Sequence, residues 1–308
     1  MRIALIGCGE VGRILAEDLR AHTLAAFDLK LDGPAGDPLR KHAAQLGVRL
    51  AASHDDAVQG AELVFSAVTA SQAVRVAQAS APGLARGAFF LDLNSASPGA
   101  KLRAAGFIDG VGGRYVEGAV MTSVPPYRLR VPLLLGGPNA AALAPVLVQL
   151  GFAPQLASER LGVASATKMC RSVVIKGLEA MVIESFTTAR HYGVEDQVLA
   201  SLKETFPGLD WERQAAYFFQ RVIEHGRRRS EEVREVAQTV REAGLEPFSA
   251  SGTAERQAFM ADLADAGVFG TRGTPAFARS ADWRTEADRL LGHLHTEADR
   301  PLGHLKRP

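Results

Sequence analysis

The stretch Arg2-Ile3-Ala4-Leu5-Ile6-Gly7-Cys8-Gly9-Glu10-Val11-Gly12-Arg13-Ile14-Leu15 decides the fold. Its first five residues read as a buried strand, and the glycines at 7, 9 and 12 lead straight into an amphipathic helix with Val11, Ile14, Leu15 and Leu19 on its apolar side. Between a strand and a helix, each glycine has its own task. Gly7 allows the tight turn, Gly9 lets a pyrophosphate approach the backbone, and Gly12 lets the helix pack on the strand. The phosphate charge then meets the helix N-terminus. Gly7, Cys8, Gly9, Glu10, Val11 and Gly12 are therefore the expected dinucleotide contacts. The next apolar run, Thr23 to Phe27, ends in Asp28, near the spacing at which a carboxylate takes the adenine ribose hydroxyls. Asp28 favours NAD, while Lys30 and Arg40 keep NADP open through its 2'-phosphate.

Outward from there, strands and helices alternate. Ala61 to Val68 reads as a strand, Gln72 to Ala79 as a helix, and Ala88 to Leu93 as a strand that runs into Asn94-Ser95-Ala96-Ser97-Pro98. This alternation implies an α/β Rossmann domain with a doubly wound, mainly parallel sheet. Ligands in such sheets bind beyond the carboxyl ends of the strands, which makes Val68, Thr69, Asn94 and Ser95 site candidates. A plain turn before Pro98 is the competing reading of Asn94 and Ser95. Arg114 to Val120 and Val131 to Leu135 read as the end of the sheet, with Met121-Thr122-Ser123-Val124-Pro125-Pro126 between them.

From about Ser158 the apolar period becomes 3.6, so residues 159–284 read as an all-α domain after a dinucleotide-binding domain of residues 1–158. A helix from near Arg160 to His191, closed by Gly193, would be about 50 Å long at ~1.5 Å per residue and suits an interdomain connection. It carries Gly162-Val-Ala-Ser-Ala-Thr-Lys168-Met-Cys-Arg-Ser172, where a lysine stands in an otherwise apolar segment. Lys168, Ser172, Lys176 and Glu179 share one stripe, with apolar residues including Val174 and Met181 covering the other sides. Lys168 and Ser172, one turn apart, can hold one ligand, and Lys176 with Glu179 has the spacing of an ion pair.

A later helix, Trp211 to Ala243, places Arg229 on the apolar face defined by Phe218, Val222, Val233 and Val236, flanked by His225 and Glu232. An arginine there must be paired or bind an anion. The choice lies between a pair with Glu232 and a clamp on a substrate carboxylate or phosphate. Residues 285–308 hold a tandem duplication, Thr285 to His295 and Thr296 to Lys306, expected to be a peripheral extension without chemistry. Its His293 and His304 are not read as metal ligands, and no metal is expected.

Balanced charge, +1 overall, leaves no footprint for nucleic acid or an anionic membrane. Small molecules are the expected partners. Cys8 and Cys170, without a disulfide framework, fit a reducing compartment and read as interior residues. No signal peptide is evident and no apolar run approaches the ~20 residues that span a bilayer, so the expectation is a cytoplasmic protein.

These motifs resemble those of the beta-hydroxyacid dehydrogenase superfamily, which includes 6-phosphogluconate and 3-hydroxyisobutyrate dehydrogenases. Gly7, Gly9 and Gly12 match its cofactor loop; Asn94-Ser95 stand where its Ser-Thr substrate motif lies. Met121-Thr122-Ser123 replace its usual Ser-Gly-Gly, and Gly162 and Lys168 match its catalytic GxGxxxKxxxN pattern, with Ala164 and Ser172 as departures. The second half is similar to a subgroup of phosphogluconate dehydrogenase-like proteins with a His-Gly-x-Arg-Arg element like His225 to Arg229.

The resemblance implies hydride transfer between NAD(P) and a small beta-hydroxy or keto acid, with Lys168 as general acid/base and Ser172 and Asn94 orienting the oxygen. Ser95, Met121, Thr122, Ser123, His225 and Arg229 are the further substrate candidates, and an intertwined homodimer is implied. A free lysine near pKa ~10.4 is a poor base, so burial and the positive nicotinamide ring would have to lower it. Ile175 stands where a decarboxylating member has a glutamate, which points to oxidation without assisted decarboxylation. The rival readings are an imine reductase, in which the lysine position is typically another residue, and a non-catalytic dinucleotide sensor.

Overall fold

Apolar runs in the first half become strands that hydrogen-bond side by side, and those in the second half become long helices. A computed structural model of the chain describes residues 1–34, 36–275, 277–278 and 280–298. The elements are β1 (Arg2–Ile6), α1 (Glu10–Asp18), β2 (Thr23–Phe27), α2 (Gly36–Leu46), β3 (Arg49–Leu50), α3 (His54–Val58), β4 (Leu63–Ser66), α4 (Ala73–Ser80), β5 (Phe89–Asp92), α5 (Pro98–Gly110), β6 (Arg114–Val120), β7 (Leu133–Gly136), α6 (Ala140–Gln149), β8 (Pro154–Ser158), α7 (Val163–Tyr192), α8 (Glu195–Thr205), α9 (Trp211–Glu242), α10 (Phe248–Asp265) and α11 (Trp283–Ala298).

The strands form one sheet in the order β3-β2-β1-β4-β5-β6-β7-β8, parallel throughout except for the β6–β7 pair. Strand order reverses between β1 and β4, so their carboxyl ends flank the crevice where such sheets bind ligands. Alternation along β1 feeds both faces. Ile3 and Leu5 join α1 and α6 through Leu15, Leu143 and Leu147. Ala4 and Ile6 join α3, α4 and α5 through Val58, Val76 and Ile108. The sheet extends one strand beyond its expected end: β8 lies on the edge, half exposed, beside β7. An edge strand that opens with a proline and buries little has only a weak apolar pattern.

The chain divides into two compact units. One comprises Met1–Arg171 with Glu235–Glu246, the other Ser172–Arg234 with the residues from Pro247 onward. The division falls within α7 rather than at residue 158, because the period marks where strands give way to helix, not where packing partners change. The helical unit has its own core of Ile183, Phe186, Phe219, Val222, Met260, Phe269 and Trp283.

Two expectations fail here. α7 is not covered on all sides: Val174 and Met181 are 65% and 63% exposed, and Cys170 is exposed with them. The first copy of the duplicated tail is no peripheral extension, since Ala287 and Leu290 are buried in the helical core. The second copy runs on past residue 298, outside the described residues. Among the described residues no helix is long and apolar enough to cross a membrane.

Candidate functional site

The glycine loop has the geometry its spacing requires. Gly7 has φ +98°, and a Cβ there would lie 2.3 Å from the Ala67 carbonyl oxygen; one on Gly12 would lie 1.9 Å from the Gly7 carbonyl oxygen. Strand, turn and helix can close only if both lack side chains. At Gly9 a Cβ would meet no described atom within 4 Å. Gly9 is also the N-cap of α1 and supplies no side-chain cap to its first-turn N–H groups, which suits a phosphate. Glu10 and Val11 follow in that first turn. Asp28 ties β2 to this loop: its Oδ2 accepts the Cys8 N–H at 2.7 Å and its Oδ1 the Lys30 N–H at 2.9 Å. Burial, reinforced by the Asp28 charge, pushes the Cys8 thiol up to about 12. Arg40, one of the two cations considered for a 2'-phosphate, is engaged with the Leu31 carbonyl and Asp37.

At the neighbouring strand ends Asn94 acts as a cross-link rather than a turn residue. Its Oδ1 accepts the Val68 N–H at 2.6 Å and its Nδ2 donates to Ser66 at 2.9 Å. Asn94 is thus first of all a structural tie, with one acceptor and one donor position on its amide beyond these two bonds. Thr69, one residue on, is exposed and hydrogen-bonds Ser71. Beneath Asn94 lies a fully buried network that the sequence reading missed. The Asp92 Oδ1 accepts the Asn94 N–H and meets the Lys101 ammonium, both at 2.9 Å, while Tyr115 donates to Oδ2 at 2.7 Å. Burial and the Asp92 charge hold the Tyr115 hydroxyl well above its ordinary value. The signal was present as an acid inside the apolar run Phe89-Phe90-Leu91-Asp92-Leu93, since a buried charge needs a partner.

Lys168, half-buried on α7, donates from Nζ to Ser95 Oγ at 2.7 Å. Two further carboxylates fix the segment that follows Ser95. Glu235 accepts the Ser97 N–H at 2.8 Å, and Glu242 accepts the Ser97 hydroxyl at 2.9 Å and the Gly99 N–H at 2.8 Å, capping the start of α5. Glu235 and Glu242 come from the end of α9, some 140 residues away, a distance that local sequence does not bridge. Ser172 is buried one turn beyond Lys168 on α7. Met121, Thr122 and Ser123 follow β6 as a mostly exposed loop, with the Met121 N–H held by the Pro132 carbonyl at 2.9 Å.

In the helical unit the two inward-facing cations, Lys176 and Arg229, pair across helices. Lys176 meets Glu232 at 2.7 Å, and Arg229 meets Glu179. This replaces the expected Lys176–Glu179 and Arg229–Glu232 pairs. Glu232 also pairs along α9 with the exposed Arg228 at 2.5 Å, so one carboxylate serves a cation of its own helix and the buried Lys176 of the facing one. Glu179 also accepts from Gln257 at 3.3 Å. The Arg229 guanidinium is thus engaged inside the unit and is not an exposed clamp for an anion. Burial draws the Lys176 and Arg229 cations below their ordinary values despite their carboxylates. His225 is half-buried, and desolvation lowers it too. Gly226 explains the glycine of that element: a Cβ there would lie 2.6 Å from the Gln257 carbonyl oxygen of α10.

Residues 2–95 match the family described as NADP oxidoreductase coenzyme F420-dependent, and residues 189–260 match a domain of unknown function, DUF1932. A conserved hypothetical protein from Sinorhizobium meliloti 1021 is 41% identical, with 91% of this chain and 96% of that one covered and a TM-score of 0.71. The conserved protein MTH1747, described as structurally similar to 3-hydroxyacid dehydrogenases, is 28% identical over 86% of this chain and 98% of its own, TM-score 0.66. A Mycobacterium tuberculosis 3-hydroxyisobutyrate dehydrogenase solved with L-serine shares the fold at 19% identity, covering 86% and 95% of the two chains, TM-score 0.68.

Proposed function

The chain belongs to the beta-hydroxyacid dehydrogenase-like superfamily, and on that premise we propose that it is an oxidoreductase that moves a hydride between a nicotinamide dinucleotide and a small beta-hydroxy acid or its keto form. The observation that carries this reading is the Lys168–Ser95 contact of 2.7 Å at the carboxyl end of β5, in the same compact unit as the glycine loop.

The residues fit the cofactor. Gly7 and Gly12 permit the tight loop, Gly9 leaves room for the pyrophosphate, and the first-turn N–H groups of α1 point toward its charge. A carboxylate has about four acceptor positions. Backbone N–H groups occupy two of those on Asp28, which leaves capacity for ribose hydroxyls. An anion at that place repels a 2'-phosphate, and Arg40 is held elsewhere, so NAD is the preferred cofactor and NADP the alternative. When bound, the nicotinamide ring supplies the hydride acceptor or donor.

The remaining work falls to the chain. Lys168 Nζ takes the substrate hydroxyl proton during oxidation and returns it during reduction, a role worth roughly 10²–10⁴-fold in rate. Ser95 Oγ orients the ammonium and its substrate oxygen. Asn94 keeps the Val68 backbone in register, and Met121, Thr122 and Ser123 contribute the exposed substrate-facing loop. Ser172, one turn from Lys168, is the second polar group proposed for the reacting oxygen.

A panel of hydroxy acids with NAD and with NADP, followed by cofactor absorbance, tests the reading. Lys168→Met is expected to cut turnover about 10³-fold while cofactor affinity stays within about threefold. Turnover retained in that variant sinks the assignment, as does a panel in which no acid is oxidised.

A further inference from the structure

Lys168 is held at its tip by Ser95, yet its backbone position is set by an acid on a strand. Glu117 lies in the middle of β6, fully buried, and faces the start of α7. Its Oε1 accepts the N–H groups of Gly162 at 2.8 Å and Ala164 at 3.1 Å, and its Oε2 accepts the Ser165 hydroxyl at 2.8 Å. Space for the carboxylate comes from the partner strand. Glu117 pairs in register with Gly136 of β7, where a Cβ would lie 2.3 Å from Glu117 Oε1. A helix start normally draws its caps from the residues just before it. Here a carboxylate 45 to 48 residues away satisfies three donors at once and places its charge at the positive end of the helix. Ser165 precedes Lys168 by three residues, so the clamped group and the lysine share one face of the first turns.

We propose that Glu117 is a positioning residue: its buried carboxylate locks the first turn of α7 to β6 and thereby sets where the Lys168 ammonium stands against Ser95. This assignment rests on the reading of Lys168 as the acid/base group, but its geometry is independent of the substrate. Glu117→Gln keeps the volume but removes the charge at the helix start, and where the carboxylate accepted the Ser165 hydroxyl it leaves an NH2 group that can only donate, so the charge-assisted clamp on the first turn is weakened. The first turn then loses its fixed register, and Lys168 loses its fixed contact with Ser95 while the glycine loop is untouched.

Two measurements test it on the whole chain. Competitive amine labelling read by mass spectrometry compares Lys168 with the exposed Lys41 and Lys203 as internal standards. In Glu117→Gln the Lys168 rate should change at least threefold with the standards constant, and Ser165→Ala, which removes one of the three donors, should give a smaller change in the same direction. With an oxidised acid in hand, kcat should fall at least tenfold in Glu117→Gln with cofactor Kd within twofold. Leu143→Ala, in the core of the same unit, serves as a control for general loss of stability; adjusted to the same Tm, it should show neither effect. Unchanged Lys168 labelling in Glu117→Gln overturns the proposal, and so does an equal change in Leu143→Ala. The labelling arm needs no turnover, so a failed substrate screen would count against the dehydrogenase reading alone.

Discussion

In the sheet-containing unit the buried Asp92–Lys101 pair leads, through the Asn94 N–H, to the Asn94 side chain and the Val68 backbone. In the helical unit the buried Arg229–Glu179 pair and the largely buried Lys176–Glu232 pair run from α9 to α7 and, through Gln257, to α10. Both units place full charges where water does not reach, and both satisfy them in pairs. The difference lies in what the pair holds. In one unit it stiffens the ends of β4 and β5, where ligands of doubly wound sheets bind; in the other it registers helices against one another. A buried ion pair contributes little net stability over an apolar substitute, but removing one partner leaves the other charged and unsolvated.

Lys101→Met and Arg229→Met provide the strongest way to break this comparison. Lys101→Met leaves Asp92 without its cation and is expected to cost about 3–5 kcal/mol of unfolding free energy; Arg229→Met leaves Glu179 with the longer Arg221 contact of 3.6 Å and should cost less, both read from denaturant curves. The variants should part ways in a cofactor titration. Lys101→Met weakens dinucleotide binding at least tenfold because Asn94 and Val68 lose their support, while Arg229→Met leaves it unchanged. Equal weakening in both would erase the distinction between the units.

A smaller effect sharpens the role of the strand ends. Asp28→Asn keeps an acceptor for Cys8 but removes the negative charge, so the ratio of NADP to NAD affinity should rise about tenfold, near 1.4 kcal/mol; no change in the ratio would mean that Asp28 only ties the loop. The smallest effect lies within the sheet unit itself. With its thiol pushed to about 12, Cys8 carries almost no thiolate at pH 8. Iodoacetamide should therefore add once per folded chain, at the exposed Cys170, as intact-mass analysis would show. A second adduct in the folded protein would show that the loop does not shield Cys8.

Much of the first unit was legible because its signals are local. The Gly7, Gly9 and Gly12 spacing sits between a strand and a helix of opposite period, and the strands β1, β2 and β6 begin and end where the apolar runs do. Lys168 stood out because an ammonium in an apolar helix needs a partner, and Ser95 was already marked by its place beyond a strand end. The errors share one cause. Local spacing pairs Lys176 with Glu179 and Arg229 with Glu232 along their own helices, and it gives no sign of the ties made by Asn94, Glu117, Lys101, Glu235 and Glu242. In every case the partner lies on another element, from 9 residues away for Lys101 and Asp92 to 145 for Glu242 and Ser97. The buried first copy of the tail follows the same logic, since a repeat in sequence carries no record of the core that receives Ala287 and Leu290.

The sequence by itself determined the alternating order of strands and helices, the glycine loop and the lysine that stands one long helix away, because period, turn geometry and the cost of a buried charge act over a few residues. Only the tertiary structure decided which acid answers which base and which carboxylate fixes the start of the lysine's helix. Those choices depend on which faces meet when the elements pack, and hydrogen bonds, reaching about 3 Å, select partners by that proximity and not by order in the chain.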